Sequence, residues 1–155
     1  MAVNDTLTGV LNDLIEINND RVTGYERAAD EAKTVDADLV ATFNKMADDS
    51  RRFAAELSRE VRNLGEMPTD GTTNGGKLYR VWMDVKTTFT NHDRQAILEL
   101  CEYGEDVVQK AYDTALDSAA EMSGDIRQLI TEQKRSLKSA HDLIKQYRDL
   151  QKEVG

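Results

Sequence analysis

Apolar residues recur along this chain in steps of three and four, and four long stretches keep that rhythm. In the first, Leu7, Leu11, Leu14, Asn18, Val22, Tyr25, Ala29 and Ala32 fall on one helical face. Asn4, Asp5 and Thr6 are good capping residues, so a helix is predicted over 5–33. Thr34, Val35 and Asp36 make a short turn, with Asp36 placed to cap the next helix. The second stripe is Leu39, Phe43, Met46 or Ala47, Ser50, Phe53, Leu57, Val61 and Leu64. It predicts a helix over 37–64, with Gly65 as its C-terminal cap. The third stripe is Ile97, Cys101, Glu105, Val108, Tyr112 and Ala115, in a helix over 91–117 that starts at the capping pair Thr90–Asn91. After a turn from Ser118 to Gly124, Ile126, Ile130, Gln133, Leu137, Ala140, Ile144, Tyr147 and Leu150 predict a fourth helix over 124–152.

The connections between the helices are unequal. Residues 65–77 hold four of the nine glycines and the only proline, which marks a loop. A short amphipathic stretch follows, with Leu78, Val81, Trp82, Val85 and Phe89 on one side. It predicts a short helix over 78–89, either a lid or an oblique first part of the third helix. Each long helix is ~40 Å at 1.5 Å per residue. The first and third connections are short, so each joins an antiparallel pair. The middle one is long, and thirteen extended residues already reach ~43 Å. It permits a crossover between parallel second and third helices. The expectation is an all-α, four-helix-bundle domain over 1–155 with short–long–short connectivity.

Composition agrees with this pattern. The 155 residues are 32% charged and 6% aromatic, as a mostly helical soluble chain would be. The net charge of −9 disfavours a nucleic-acid partner. No run approaches the ~20 apolar residues of a membrane span. Met1 is followed by no basic, apolar leader, so a cytoplasmic location is expected. Residues 1–40 hold nine acids and three bases, and 91–123 hold eight and two. Residues 41–65 hold four acids and five bases, and 124–155 hold five and seven. The alternating sign is read as solvated faces, or as a device by which neighbouring helices choose one another.

Candidate chemistry is sparse. The single Cys101 lies in an apolar stripe and reads as a small buried hydrophobe, with a reactive thiol as the other reading. Gly71 to Lys77 has the Gly-x-x-x-x-Gly-Lys spacing of a phosphate loop. Leu78 stands where that motif needs Ser or Thr, and no strand precedes it, so the match is read as chance. His92, in a helix-cap region, reads as a surface residue. No Cys/His spacing for zinc occurs, and no serine or cysteine has a histidine placed by a recognisable motif.

The second helix has Phe43, Ala47, Ala54 and Leu57 at the spacing found in rubrerythrin-like proteins, and the chain resembles the ferritin-like superfamily on that ground. That resemblance places Ser50 and Phe53 where the family carries its ligand Glu and His. It likewise places Asn18, seven residues before Tyr25, at a ligand Glu position, and Lys138 at the Glu that partners His141. Glu102 and Glu105 match a Glu-x-x-Glu of the third helix. Residues 12–26, 102–106 and 140–142 are similar to a bacterial family of small four-helix-bundle proteins of unknown function. The resemblance covers nearly the whole chain and implies a ferritin-like fold with no established activity.

The expected function is therefore a non-catalytic ferritin-like bundle with a degenerate di-iron site, acting by protein association or in stress response. No catalytic residue, cofactor or metal is assigned. The weak metal candidates are Glu102, Glu105, His141 and Glu26, with Glu105 and His141 expected to approach each other. The bland alternative for that pair is a buried polar network with Asn18, Tyr25 and Gln133. A rival reading is an iron or manganese oxidase or storage protein with an unusual ligand set. A third is a small-molecule binder near Trp82. A homodimer is expected along some helix face, with no face selected.

Overall fold

The structure, a computed structural model, describes residues 2–33, 36–71, 94–118 and 120–154. The described residues form four helices: α1 Ala2–Ala32, α2 Ala37–Asn63, α3 Arg94–Asp117 and α4 Gly124–Val154. The expected short helix 78–89 with Trp82, the Thr90–Asn91 cap and His92 lie outside the described residues.

The helix ends follow local chemistry. Asp36 has extended backbone, and its carboxylate accepts from the amides of Asp38 at 2.8 Å and Leu39 at 3.3 Å. At the other end of α2, Gly65 adopts φ +80°, the left-handed region open to glycine. The Gly65 amide then reaches the Arg62 carbonyl at 2.9 Å, and that of Glu66 reaches Val61 at 3.2 Å. Ser123 Oγ, within the turn predicted from Ser118 to Gly124, accepts from the Ile126 amide at 3.2 Å and so caps α4.

Cross-helix pairs fix the topology. Asn18 meets Ser50 while Tyr25 meets Phe43, so α1 and α2 are antiparallel. Asn18 meets Tyr112 while Tyr25 meets Glu105, so α3 also opposes α1. Tyr112 meets Gln133 and Asp106 meets His141, so α4 opposes α3. Helices α2 and α3 therefore run parallel, and their starts are tied by Arg94 Nε to Asp36 Oδ2 at 2.7 Å. The chain leaving α2 has to return along the bundle. Its described part does so against α1: the Thr69 amide donates to Asn12 Oδ1 at 3.1 Å, and Asn19 Nδ2 donates to the Gly71 carbonyl at 2.7 Å. The parallel α2 and α3 agree with the crossover that the length of the connection permits; residues 72–93 lie outside the described residues.

The predicted stripes form the core. Leu39, Phe43, Met46, Ala47, Phe53, Leu57 and Val61 of α2 pack with Ile97, Cys101, Val108 and Tyr112 of α3 and Ile126, Ile130, Leu137 and Ile144 of α4. Each large apolar side chain so buried contributes about 1.5–3 kcal/mol. Helix α1 is buried over a wider arc than its stripe predicts, with Ile15, Ile17, Asp20, Arg21 and Ala28 enclosed as well. It packs on α2 and α3 and also carries the crossover. At the far end of α4 the stripe opens to solvent, and Leu150 is exposed.

Candidate functional site

The polar residues in the four stripes meet midway along the bundle. Ser50 Oγ donates to Asn18 Oδ1 at 2.9 Å, and Asn18 Nδ2 donates to Tyr112 Oη at 2.8 Å. The Tyr112 hydroxyl donates onward to Gln133 Oε1 at 2.7 Å. Gln133 Nε2 reaches Glu56 Oε1 at 3.0 Å and the Phe53 carbonyl at 3.3 Å. Each of the four helices supplies at least one member, so the network sets their relative height as well as satisfying polar atoms.

One turn further along α1 lies a charged layer. Arg21 is 1% exposed and Glu105 is fully enclosed. Arg21 Nε donates to Glu105 Oε1 at 2.8 Å, and Nη1 donates to Ser50 Oγ at 2.8 Å and to the Met46 carbonyl at 3.0 Å. Tyr25 Oη donates to the same Glu105 oxygen at 2.5 Å. The guanidinium carbon lies 4.9 Å from the centre of the Tyr25 ring, a cation–π contact. Ser50 bridges the two layers, accepting from Arg21 and donating to Asn18. Glu105 Oε2 is buried and takes no hydrogen bond from the described residues.

The electrostatics follow from enclosure. Burial, reinforced by the Glu105 charge, pushes the Tyr25 hydroxyl well above its ordinary range. Burial and then Glu105 do the same to the Cys101 thiol, so it is a neutral core residue. The Tyr112 hydroxyl is also raised by burial. For Arg21 burial is the largest influence and works downward, but the Glu105 charge and hydrogen bond together with Tyr25 and Asp49 outweigh it, and the net shift is upward.

The anticipated site residues separate. Glu105 faces Arg21 and Tyr25, as the buried-network alternative for it required, whereas His141 joins no such network. His141 Nε2 lies 2.7 Å from Asp106 Oδ1 and its Nδ1 3.2 Å from Asp142 Oδ1, on the flank of the α3–α4 pair. The expectation that Glu105 and His141 approach each other is therefore corrected: His141 turns to Asp106. Glu102 stands near His141 but is paired with Arg148 of α4. Glu26 is exposed and pairs with Arg51 at 2.7 Å. Lys138, placed at an inward ligand position by motif spacing, points to solvent and pairs with Asp142 at 3.0 Å. The inward face of α4 is Ile130, Gln133, Leu137 and Ile144, and Lys138 is one residue, about 100°, past Leu137.

Arg21 is the residue the sequence reading missed. It lies three residues after Asn18 and four before Tyr25, so it shares their face, although the apolar periodicity runs through Val22. Charge type hid it, because long cationic side chains are seldom fully enclosed.

A di-iron centre of the ferritin-like kind takes several inward carboxylates and two histidines. The enclosed positions here present Asn18, Ser50, Phe53 and Gln133, beside two enclosed carboxylates, Asp20 and Glu105, of which Glu105 is already neutralised by a guanidinium; no histidine is enclosed among the described residues. That donor set does not fit two metal ions.

Fold and connectivity define an all-α protein of the ferritin-like bundle class. More particularly, the chain belongs to the family described as a domain of unknown function (DUF2383), whose sequence pattern matches residues 6–118. A mutant Dps1 of Mycobacterium smegmatis has a similar structure. The TM-score is 0.75 at 11% identity, over 95% of this chain and 97% of that one. At that identity the likeness shows the fold. No curated protein sequence matches the chain. Among the described residues, no helix is long and apolar enough to cross a membrane.

Proposed function

We propose that this chain is a non-catalytic ferritin-like bundle that acts by protein association, with a polar network in place of a di-iron centre. The observation that carries the reading is the Arg21 guanidinium bonded to Glu105 Oε1 at full burial. A fixed cation supplies the charge compensation that metal ions give to inward carboxylates elsewhere. A second, divalent cation beside it would be repelled at low effective dielectric. The Cys101 thiol and the Tyr25 and Tyr112 hydroxyls are held neutral, which supports a structural role for the centre. Tyr103 on α3 is exposed, and it is the position at which association through that face is tested.

The test has two arms. Protein from iron- and manganese-supplemented growth is assayed for metal and for dioxygen-dependent oxidation of ferrous ion. The expected result is no metal or turnover that depends on Glu105. Turnover abolished by Glu105→Gln in a folded protein would overturn the reading. Sedimentation across a concentration series is expected to show an oligomer weakened by Tyr103→Ser, and a strict monomer that captures no partner would count against association.

A further inference from the structure

One cluster of ligating side chains is not absorbed by the central network. Glu102 and Asp106 are one turn apart on α3, and His141 faces them from α4. One ligating atom from each lies within 4.8 Å of the other two. The Glu102 and His141 side chains are mostly covered, at 14% and 19% exposure, whereas Asp106 opens to solvent at 55%. We propose that Glu102, Asp106 and His141 form a mononuclear site for a divalent transition metal ion, zinc in the first instance, clamping α3 to α4. This site is separate from the central layer and goes beyond the association reading.

The donor chemistry selects the ion. One imidazole nitrogen with two carboxylate oxygens suits zinc and its neighbours better than magnesium or calcium, which favour all-oxygen shells. Tetrahedral zinc with bonds of about 2.0–2.2 Å sets its ligands about 3.4 Å apart. The His141 Nε2–Asp106 Oδ1 contact, now 2.7 Å, opens to admit the ion, and the wider spacings, at most 4.8 Å, close by small rotations of Glu102 and Asp106. Three protein ligands leave a position for water, and the exposed side of Asp106 opens that position to solvent.

Neighbouring groups support the geometry. Asp142 Oδ1 lies against His141 Nδ1 at 3.2 Å, so a carboxylate orients the ring and leaves Nε2 for the ion. Arg148 holds Glu102 through Oε2, leaving Oε1 for the ion. It also has a second carboxylate, Asp149, at 3.0 Å to take up its charge. Four carboxylates, the Arg148 guanidinium, the Lys138 ammonium paired with Asp142 and one divalent ion sum to local neutrality.

Titration of the full chain with zinc chloride by calorimetry, with cobalt absorption as a second readout, tests the site. The expected result is one ion per chain, resistant to excess magnesium, with a rise in melting temperature. His141→Ala and Asp106→Asn should each weaken binding at least tenfold, and Asp142→Asn by about 10–100-fold as a positioning residue. Glu26→Gln, on the opposite hairpin, should leave it unchanged, and circular dichroism confirms that each variant is folded. No saturable binding, or binding unchanged by His141→Ala, overturns the proposal. Binding lost with Glu105→Gln but kept with His141→Ala overturns it too, and overturns the network reading with it. Binding lost with His141→Ala but kept with Glu105→Gln supports this site and leaves the other reading standing.

Discussion

Arg21 of α1 donates through Nε to Glu105 of α3 at 2.8 Å, with both side chains sealed from solvent. A buried pair of this kind is costly to break on one side, because the surviving charge stays enclosed. Arg21→Ala should therefore lose about 3–5 kcal/mol, read by urea denaturation. The double variant Arg21→Met with Glu105→Leu should recover most of that loss, since it removes both charges and keeps apolar volume. Additive losses in the double variant would show that the two residues do not act as a pair.

The Tyr112 hydroxyl accepts from Asn18 and donates to Gln133. Tyr112→Phe leaves Gln133 Oε1 buried without its donor, whereas Asn18 Nδ2 keeps the Leu14 carbonyl at 2.9 Å. The expected cost is about 1–3 kcal/mol in a urea midpoint series. A neutral result would mean that Gln133 finds another partner, and the network would not be fixing the height of α4.

Stability should fall at alkaline pH. Cys101, Tyr25 and Tyr112 all have native values raised above the ordinary 9.0 for the thiol and 10.0 for the hydroxyls, chiefly through burial. A raised native value means that the stability is fully present below the unfolded value and is lost as pH rises toward the native one. The decline should begin near pH 9 with Cys101 and steepen near pH 10 with the tyrosines. Each group adds up to about 1.4 kcal/mol per pH unit. Denaturation midpoints from pH 8 to 11 check this, and Cys101→Ala should delay the onset. A flat profile to pH 11 would contradict it.

Asp36 holds two elements at once, capping α2 and pairing with Arg94 at the start of α3. Asp36→Ala should cost about 1–2 kcal/mol, mainly the lost cap. Burial works against the carboxylate, but Arg94 and the two cap amides outweigh it, so its native value lies below the ordinary 3.8. Its contribution is present above 3.8 and is lost as pH falls through that lower value. The gap between wild type and variant should therefore narrow on acidification below pH 4, followed by thermal unfolding; a gap constant with pH would assign the effect to something other than the charge.

Much of the fold was legible because the α2 stripe from Leu39 to Val61 and the α3 stripe from Ile97 to Ala115 hold one helical face without interruption. The contrast between a turn at 34–36 and a connection of 30 residues after α2 permitted the parallel α2–α3 arrangement. The site was legible only in part. Asn18, Ser50 and Gln133 stood out as polar residues inside apolar stripes, and they do meet. The family resemblance placed Lys138 and His141 inward, but the inward face of α4 runs through Leu137, which turns Lys138 to solvent and His141 to Asp106 on the α3–α4 flank.

By itself the sequence determined which residues could be buried and how long each connection is, since periodicity and chain reach are local properties. It also carried the alternating charge of the helices, which the pairs Glu26–Arg51, Asp113–Lys134 and Glu102–Arg148 use across α1–α2 and α3–α4. Only the tertiary structure decided that Arg21 enters the core and that Glu105 meets it rather than His141. An arginine is stable in an interior only where a carboxylate, a hydroxyl and a carbonyl converge on it. Those partners come from two other helices, 25 to 84 residues away along the chain.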